Sequence, residues 1–240
     1  MKIHVTDLMI EVTRRCNMVC PHCLRGNAQK KDINLQHVRT MFSKISYISC
    51  LTLSGGEPSL VPDIINDILD IAKEEDVEIG NFYLCTNAKK ITNEFMMTLM
   101  RLWMTCTENE ISMVQWSNEQ FHDNSNIFQG TKLLKVLKFA SPKYGDEELK
   151  DVDEKYLLNE GRAIDNFNAG KSAASKSEYK INPWNGNTTI DGELYLNCKG
   201  NLIMGCDFSY KNQDKDENIL CHVDNFSIDV FKEKEELVIS

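Results

Sequence analysis

The chain has 240 residues and a net charge of −9, from 27 basic and 36 acidic side chains. That length supports one large domain or a domain with a small appendage. The acidic balance argues against broad attachment to a nucleic-acid backbone, which needs clustered Lys and Arg to displace counterions. No apolar stretch approaches the ~20 residues that cross a bilayer, and the N-terminus, Met1-Lys2-Ile3-His4-Val5-Thr6-Asp7, lacks the continuous apolar segment of a secretory signal. Nine cysteines, three of them closely packed, fit reduced thiols and metal ligation better than a disulfide framework, so a cytoplasmic protein is expected.

The apolar run Leu8 to Val12 predicts a first strand. Just beyond it stand Cys16, Cys20 and Cys23, spaced Cys-x-x-x-Cys-x-x-Cys. Three thiolates on a short loop can hold three corners of a cuboidal [4Fe-4S] cluster, and the lack of a fourth cysteine in the loop leaves one iron open to a ligand. Zinc is the rival, with His22 completing a tetrahedral set; His22 abuts Cys23, however, and adjacent residues reach one ion awkwardly. The pairs Arg14-Arg15, Lys30-Lys31 and Lys89-Lys90 form no long basic run and read as solvated surface charge, although Arg14 or Arg15 stands close enough to the loop to steady a ligand's carboxylate.

Leu35 to Ile45 carries helical spacing, and Tyr47 to Leu53 reads as a second strand. The strand ends in Gly55-Gly56-Glu57-Pro58, ahead of a helical pattern from about Pro62 to Lys73. Two glycines permit torsions closed to other residues and let a ligand approach the chain, and the proline stiffens the exit. Taken alone, the segment is more simply an ordinary strand-to-helix turn with an exposed glutamate.

A third strand, Ile79 to Cys85, ends in Thr86-Asn87, where Asn87 also suits a cap or turn. In the helix predicted over Asn93 to Trp103, residues Phe95, Met96, Leu99, Met100 and Trp103 make a buried face. Glu110 to Trp116 gives a fourth strand, followed by Ser117-Asn118-Glu119 and then Phe121-His122-Asp123, and Thr131 to Phe139 gives a helix behind it. His122 is able to move a proton, but the ordinary expectation is an exposed loop histidine. Cys50, Cys85 and Cys106 read as small buried residues. Strands alternating with helices imply parallel pairing, right-handed crossovers and chemistry at the C-terminal strand ends.

The cysteine loop and the Gly-Gly-Glu-Pro segment together resemble the radical S-adenosylmethionine (radical SAM) superfamily, whose cluster loop has this spacing, usually with an aromatic residue where His22 stands. The resemblance implies an α/β fold, a partial (β/α)6 TIM-like barrel over residues 1–181 with a small β-rich extension over residues 182–240. It implies that Cys16, Cys20 and Cys23 ligate a [4Fe-4S] cluster and that His22 lies near the adenine of S-adenosylmethionine. Gly55, Gly56, Glu57 and Pro58 would meet the methionyl amino group, and Asn87 and Ser117 the ribose or carboxylate. The implied chemistry is reductive cleavage of that cofactor to a 5'-deoxyadenosyl radical, with electrons from a donor such as flavodoxin or ferredoxin. The family's late-strand glycine-and-glutamate motif is not evident here.

Toward the C-terminus, Asp191 to Asn197 and Asn201 to Met204 read as short strands around a Lys199-Gly200 turn. The run Gly200 to Cys206 resembles part of the SPASM/twitch extension of peptide-maturing relatives, which binds auxiliary clusters, but departs from it in spacing. Cys198, Cys206 and Cys221 fall short of four thiolate ligands, so a degenerate capping hairpin is the simpler expectation and an auxiliary cluster the alternative. Gly161-Arg162-Ala163 resembles a short run seen near the late strands of peptide-modifying relatives, and Ala169 to Lys176, of low complexity, suggests a lid. A peptide or protein substrate is therefore expected. A nucleoside or small metabolite is the alternative within enzymes, and a zinc-stabilised interaction protein the alternative outside them.

Overall fold

The computed structural model describes residues 2–122, 127–145, 151–167, 177–184 and 187–239; Asp123 and the low-complexity stretch 169–176 lie outside them. The first half alternates strand and helix: β1 (Ile3–Thr13), α1 (Leu35–Phe42), β2 (Ile45–Gly55), α2 (Pro62–Glu74), β3 (Glu78–Thr86), α3 (Asn93–Thr105), β4 (Met113–Trp116), α4 (Ile127–Leu134) and β5 (Ala140–Pro142). Each of these strands pairs in parallel with the next. After α5 (Ala163–Asn166) come β6 (Lys180–Trp184), β7 (Asn187–Leu196), β8 (Asn201–Met204), α6 (Tyr210–Gln213), β9 (Ile219–His222) and α7 (Ile228–Ile239).

The nine strands of the described residues belong to one sheet, ordered β5-β4-β3-β2-β1-β7-β8-β9, with β6 on β7. Strand β7 runs parallel to β1, so β1 sits centrally between β2 and β7, and parallel pairing joins six strands, β1 to β5 and β7. Beyond β7 the pairing turns antiparallel through β8 and β9. The expected α/β class is what forms: a largely parallel, partial TIM-like sheet with a C-terminal antiparallel extension. No helix of the described residues is long and apolar enough to cross a membrane.

Residue alternation in β1 explains how one strand serves two surfaces. Leu8, Ile10 and Val12 are fully buried in the main apolar core, which also takes Val38, Met41 and Phe42 of α1 and Ile65, Ile68 and Leu69 of α2. Met9 on the opposite face packs against a smaller cluster of Tyr195, Ile203 and Phe208. Glu11 and Thr13 share that second face and are fully buried as well. Caps fix the helix starts: Asn34 accepts from the Gln36 amide and Thr92 from the Phe95 amide.

Some elements differ from expectation for local reasons. Asn109–Ile111 forms a 3-10 turn, which shortens the fourth strand to four residues. The helix expected to reach Phe139 ends at Leu134, because residues 135–139 turn the chain until the Phe139 carbonyl accepts from the Val114 amide and starts β5. On α3, Phe95 and Leu99 are buried and Met96 and Trp103 pack against the core, but Met100 is exposed, one step around the helix from the core stripe. Cys106 is buried, whereas Cys50 and Cys85 are half-buried.

Candidate active site

The polar signatures of the sequence gather at the C-terminal ends of β1 to β4. The loop leaving β1 carries Cys16, Cys20 and Cys23, each half-buried with a free thiol. Hydrogen bonds help to fix its path. The Arg14 amide donates to the Lys31 carbonyl and the Gln29 amide to the Arg14 carbonyl, tying the loop's two ends together. At its tip the Cys23 amide bonds to the Cys20 carbonyl at 3.2 Å.

Gly161 and Arg162 then clasp the loop from outside. The Arg162 amide donates to the Cys23 carbonyl at 2.9 Å, its Nε to the Cys20 carbonyl at 2.8 Å, and Asn166 Nδ2 reaches the Pro21 carbonyl at 3.2 Å. Gly161 adopts φ +56°, and a Cβ there would collide with the carbonyls of Cys23 and Leu24. The Gly-Arg-Ala run thus holds the cysteine loop, a role that its sequence alone does not disclose.

Burial, helped by the neighbouring thiols of Cys23 and Cys16 and opposed by Arg162, pushes the Cys20 thiol up to about 12. Cys16 is raised by burial in the same way. Cys16 and Cys20 thus resist ionising and need a strongly cationic centre to become thiolates, so the donor set of three neighbouring thiols suits a thiophilic metal group. His22 does not turn toward these sulfurs. Its Nε2 lies 3.5 Å from Glu119 Oε1, and its ring packs on Phe121 and His122, with centroids 5.2 and 4.8 Å away.

The turn after β2 meets the same loop. The Gly56 amide donates to the Thr13 carbonyl at 2.7 Å and the Glu57 amide to the Arg15 carbonyl at 2.9 Å. A Cβ on Gly55 would strike the Thr13 carbonyl, and one on Gly56 the Arg15 carbonyl. The two glycines are therefore required by the close approach of β1's own backbone.

Glu57 is buried rather than exposed. It caps the 3-10 turn Pro58–Leu60 through the Ser59 amide at 3.0 Å, and it accepts from Thr86 Oγ1 at 2.6 Å and the Asn87 amide at 2.7 Å. Burial raises its carboxyl, and these hydrogen bonds oppose the rise. One carboxylate therefore joins the ends of β2 and β3. Asn87 bonds Asn17 Oδ1 at 2.8 Å and lies 3.9 Å from the Cys16 sulfur, while its own Oδ1 accepts from the Lys89 amide. Ser117 is buried and its amide bonds the Thr86 carbonyl at 3.0 Å.

At the end of β4 the structure departs from the sequence expectation. His122 is not an exposed loop histidine; its side chain is 9% accessible and stands 3.3 Å from Glu119. Burial pushes this imidazole down to about 4, so it is neutral near pH 7. Burial alone would raise the Glu119 carboxyl, but the His22 imidazole beside it and the charge of Lys143 keep it ionised, at about 2. Arg14 is likewise fully buried, whereas Arg15 pairs at the surface with Asp32 at 2.8 Å.

The extension braces the loop from the β7 side. Arg25 lies over the Tyr195 ring and donates to the Phe208 carbonyl at 2.6 Å, and Arg14 lies over the Tyr210 ring. Glu160 accepts from the Ser209 amide and from Asn212 Nδ2. Cys198 is buried at the β7–β8 turn, where its thiol donates to the Glu11 carbonyl at 3.2 Å. Cys206 follows the far end of β8, and four extended residues separate the two positions by about 13 Å.

A partial barrel with a thiol-bearing loop after its first strand and a Gly-Gly-Glu-Pro turn after its second is the arrangement that the resemblance of the two motifs implies. Over 94% of this chain and 79% of the other, it matches the structure of native anSMEcpe with bound AdoMet and Cp18Cys peptide, with a TM-score of 0.59 and 11% identity. Streptococcus suis SuiB bound to S-adenosylmethionine matches over 95% of this chain and 63% of that one, with a TM-score of 0.43 and 12% identity. SuiB bound to precursor peptide SuiA matches over 85% and 60%, with a TM-score of 0.39 and 12% identity. At 11% identity the match to anSMEcpe is a likeness of fold alone. No protein-family model and no curated protein sequence matches the chain.

Proposed function

We propose that the chain is a radical SAM enzyme in which Cys16, Cys20 and Cys23 hold a [4Fe-4S] cluster with one open iron. When bound, cluster and S-adenosylmethionine together supply the chemistry, a one-electron reductive cleavage that yields a 5'-deoxyadenosyl radical. What the protein contributes is placement. The Arg162 clasp fixes the loop carbonyls, the Gly55-Gly56 approach locks the loop onto β2, and Glu57 sets the ends of β2 and β3 against each other. In this reading Gly55 to Pro58 receive the methionyl amino group, Asn87 and Ser117 the ribose or carboxylate, and one face of His22 the adenine.

We assign residues 1–181 to the radical core and 182–240 to a degenerate SPASM/twitch-like extension without a cluster of its own. A peptide or protein substrate is favoured by the extension and by the fold match to a structure with a bound Cp18Cys peptide. An electron donor of the flavodoxin or ferredoxin type and a reducing cytoplasm complete the proposal, in keeping with free thiols at all nine cysteines.

The observation that carries the proposal is the convergence of three thiols on a hydrogen-bonded loop at the strand ends. Anaerobically purified protein should hold about four iron and four sulfide per chain and should release 5'-deoxyadenosine from S-adenosylmethionine under strong reductant. Cys20→Ala should abolish that release while leaving the far-UV circular dichroism unchanged. Stoichiometric zinc without sulfide, or undiminished cleavage in Cys20→Ala, would refute the assignment.

A further inference from the structure

The end of β4 carries a second donor set that the radical chemistry does not use. Glu119 and His122 stand three residues apart in a turn closed by the His122 amide and the Glu119 carbonyl at 3.2 Å, which brings their side chains together. The β1 loop delivers His22 to the same point. Glu119 Oε1 lies 3.5 Å from His22 Nε2 and 3.3 Å from His122 Nδ1, and the three residues offer donor atoms all within 4.8 Å of one another.

These separations are long for hydrogen bonds, which cluster near 2.9 Å. They suit ligands of a shared ion: donors held at about 2.0–2.1 Å around a tetrahedral centre stand roughly 3.3–3.4 Å apart. The partnering is correspondingly poor. Glu119 is 5% exposed, and its Oε2 together with Nδ1 of His22 and Nδ1 of His122 are buried without a hydrogen-bond partner. Buried polar atoms left unsatisfied cost stability, and a carboxylate costs most. Lys143, just past β5, lowers both Glu119 and His122 through its charge.

We propose that His22, Glu119 and His122 bind one divalent transition-metal ion of the zinc class. Two imidazoles and one carboxylate match the preference of such ions, and three protein ligands leave a fourth position for water or a donor atom of the substrate. A ring nitrogen takes the ion in the plane of the imidazole, so this assignment leaves the face of His22 available to the adenine.

Zinc K-edge X-ray absorption of the iron-loaded protein, given one equivalent of zinc and washed with a weak chelator, reads the site directly. The expected spectrum has nitrogen and oxygen neighbours at about 2.0–2.1 Å and no sulfur at about 2.3 Å. Glu119→Gln and His122→Asn, each checked for folding by circular dichroism, should bind zinc at least tenfold more weakly while keeping their iron and sulfide. A Cys16, Cys20 and Cys23 triple alanine variant should lose its iron and keep its zinc, which separates this site from the proposed cluster. Sulfur ligation, unchanged affinity in both single variants, or no zinc retained by the wild-type protein would each overturn the proposal.

Discussion

Arg14 Nε donates to Glu11 Oε1 at 2.6 Å, with both side chains fully buried. The pair is the hub of a network that ties β1 and the cysteine loop to the extension. Glu11 also accepts from Tyr195 Oη at 2.8 Å and from the Cys198 amide at 3.0 Å, while Arg14 reaches Gln213, Asp214 and Gln29. Removing one member of a buried pair leaves its partner uncompensated, which is more damaging than replacing both. Arg14→Met should therefore cost about 3 kcal/mol by urea denaturation. A Glu11→Leu, Arg14→Met double variant should cost less than the two single changes added together. Additive losses would show that the two side chains do not act as a pair.

The Arg162 clasp makes a prediction about the loop itself. Its side chain contributes one hydrogen bond to the Cys20 carbonyl and one of 3.3 Å to Asn27, while its amide bond to Cys23 belongs to the backbone. Arg162→Ala should leave the global fold in place but loosen the loop by about 1 kcal/mol. In metal-free protein the thiols of Cys16, Cys20 and Cys23 should then react with a disulfide reagent about fivefold faster. Unchanged thiol reactivity would mean that the main-chain bonds suffice.

Gly161→Ala should be worse than Arg162→Ala, because φ +56° strains any side chain and the added methyl meets two loop carbonyls. A loss of about 2 kcal/mol or more in thermal or urea unfolding is expected, together with faster thiol reaction. If the variant matches the wild-type protein in both assays, the close approach of residues 161 and 23 is not a constraint on the fold.

The parts of this site that are legible in the sequence are those encoded locally. The spacing of Cys16, Cys20 and Cys23 and the Gly-Gly-Glu-Pro turn mark the ends of β1 and β2, and the period of Ile65, Ile68, Leu69 and Ala72 defines α2. What local pattern does not encode is convergence. Nothing near residue 14 signals that Gln213 and Asp214 will meet it, so Arg14 reads as surface charge. The parallel pairing of β7 with β1 joins residues about 185 positions apart, and β5, three residues long, is too short for any periodicity. One usable signal does exist: Glu11 interrupts the apolar run Leu8 to Val12, and a charge inside a buried strand demands a partner. His122 offers no such hint, because its burial depends on the β1 loop folding over the end of β4.

Asp214 makes the network sensitive to acid. Burial alone would raise its carboxyl, but Lys199 Nζ at 2.8 Å and the Arg14 guanidinium at 3.3 Å outweigh that and hold it below the usual carboxylate range. A group depressed in the folded state stabilises the protein above its unfolded value of about 3.9. That stabilisation disappears as pH falls through the folded value, because the unfolded chain then takes up a proton that the folded one resists. The urea midpoint of wild-type protein should therefore exceed that of Asp214→Asn at pH 7, and the gap should close progressively in acid below about pH 4. A gap that stays constant through the acid range would mean that the carboxylate contributes by shape and neutral hydrogen bonding, and that its charge does not hold the extension against β1.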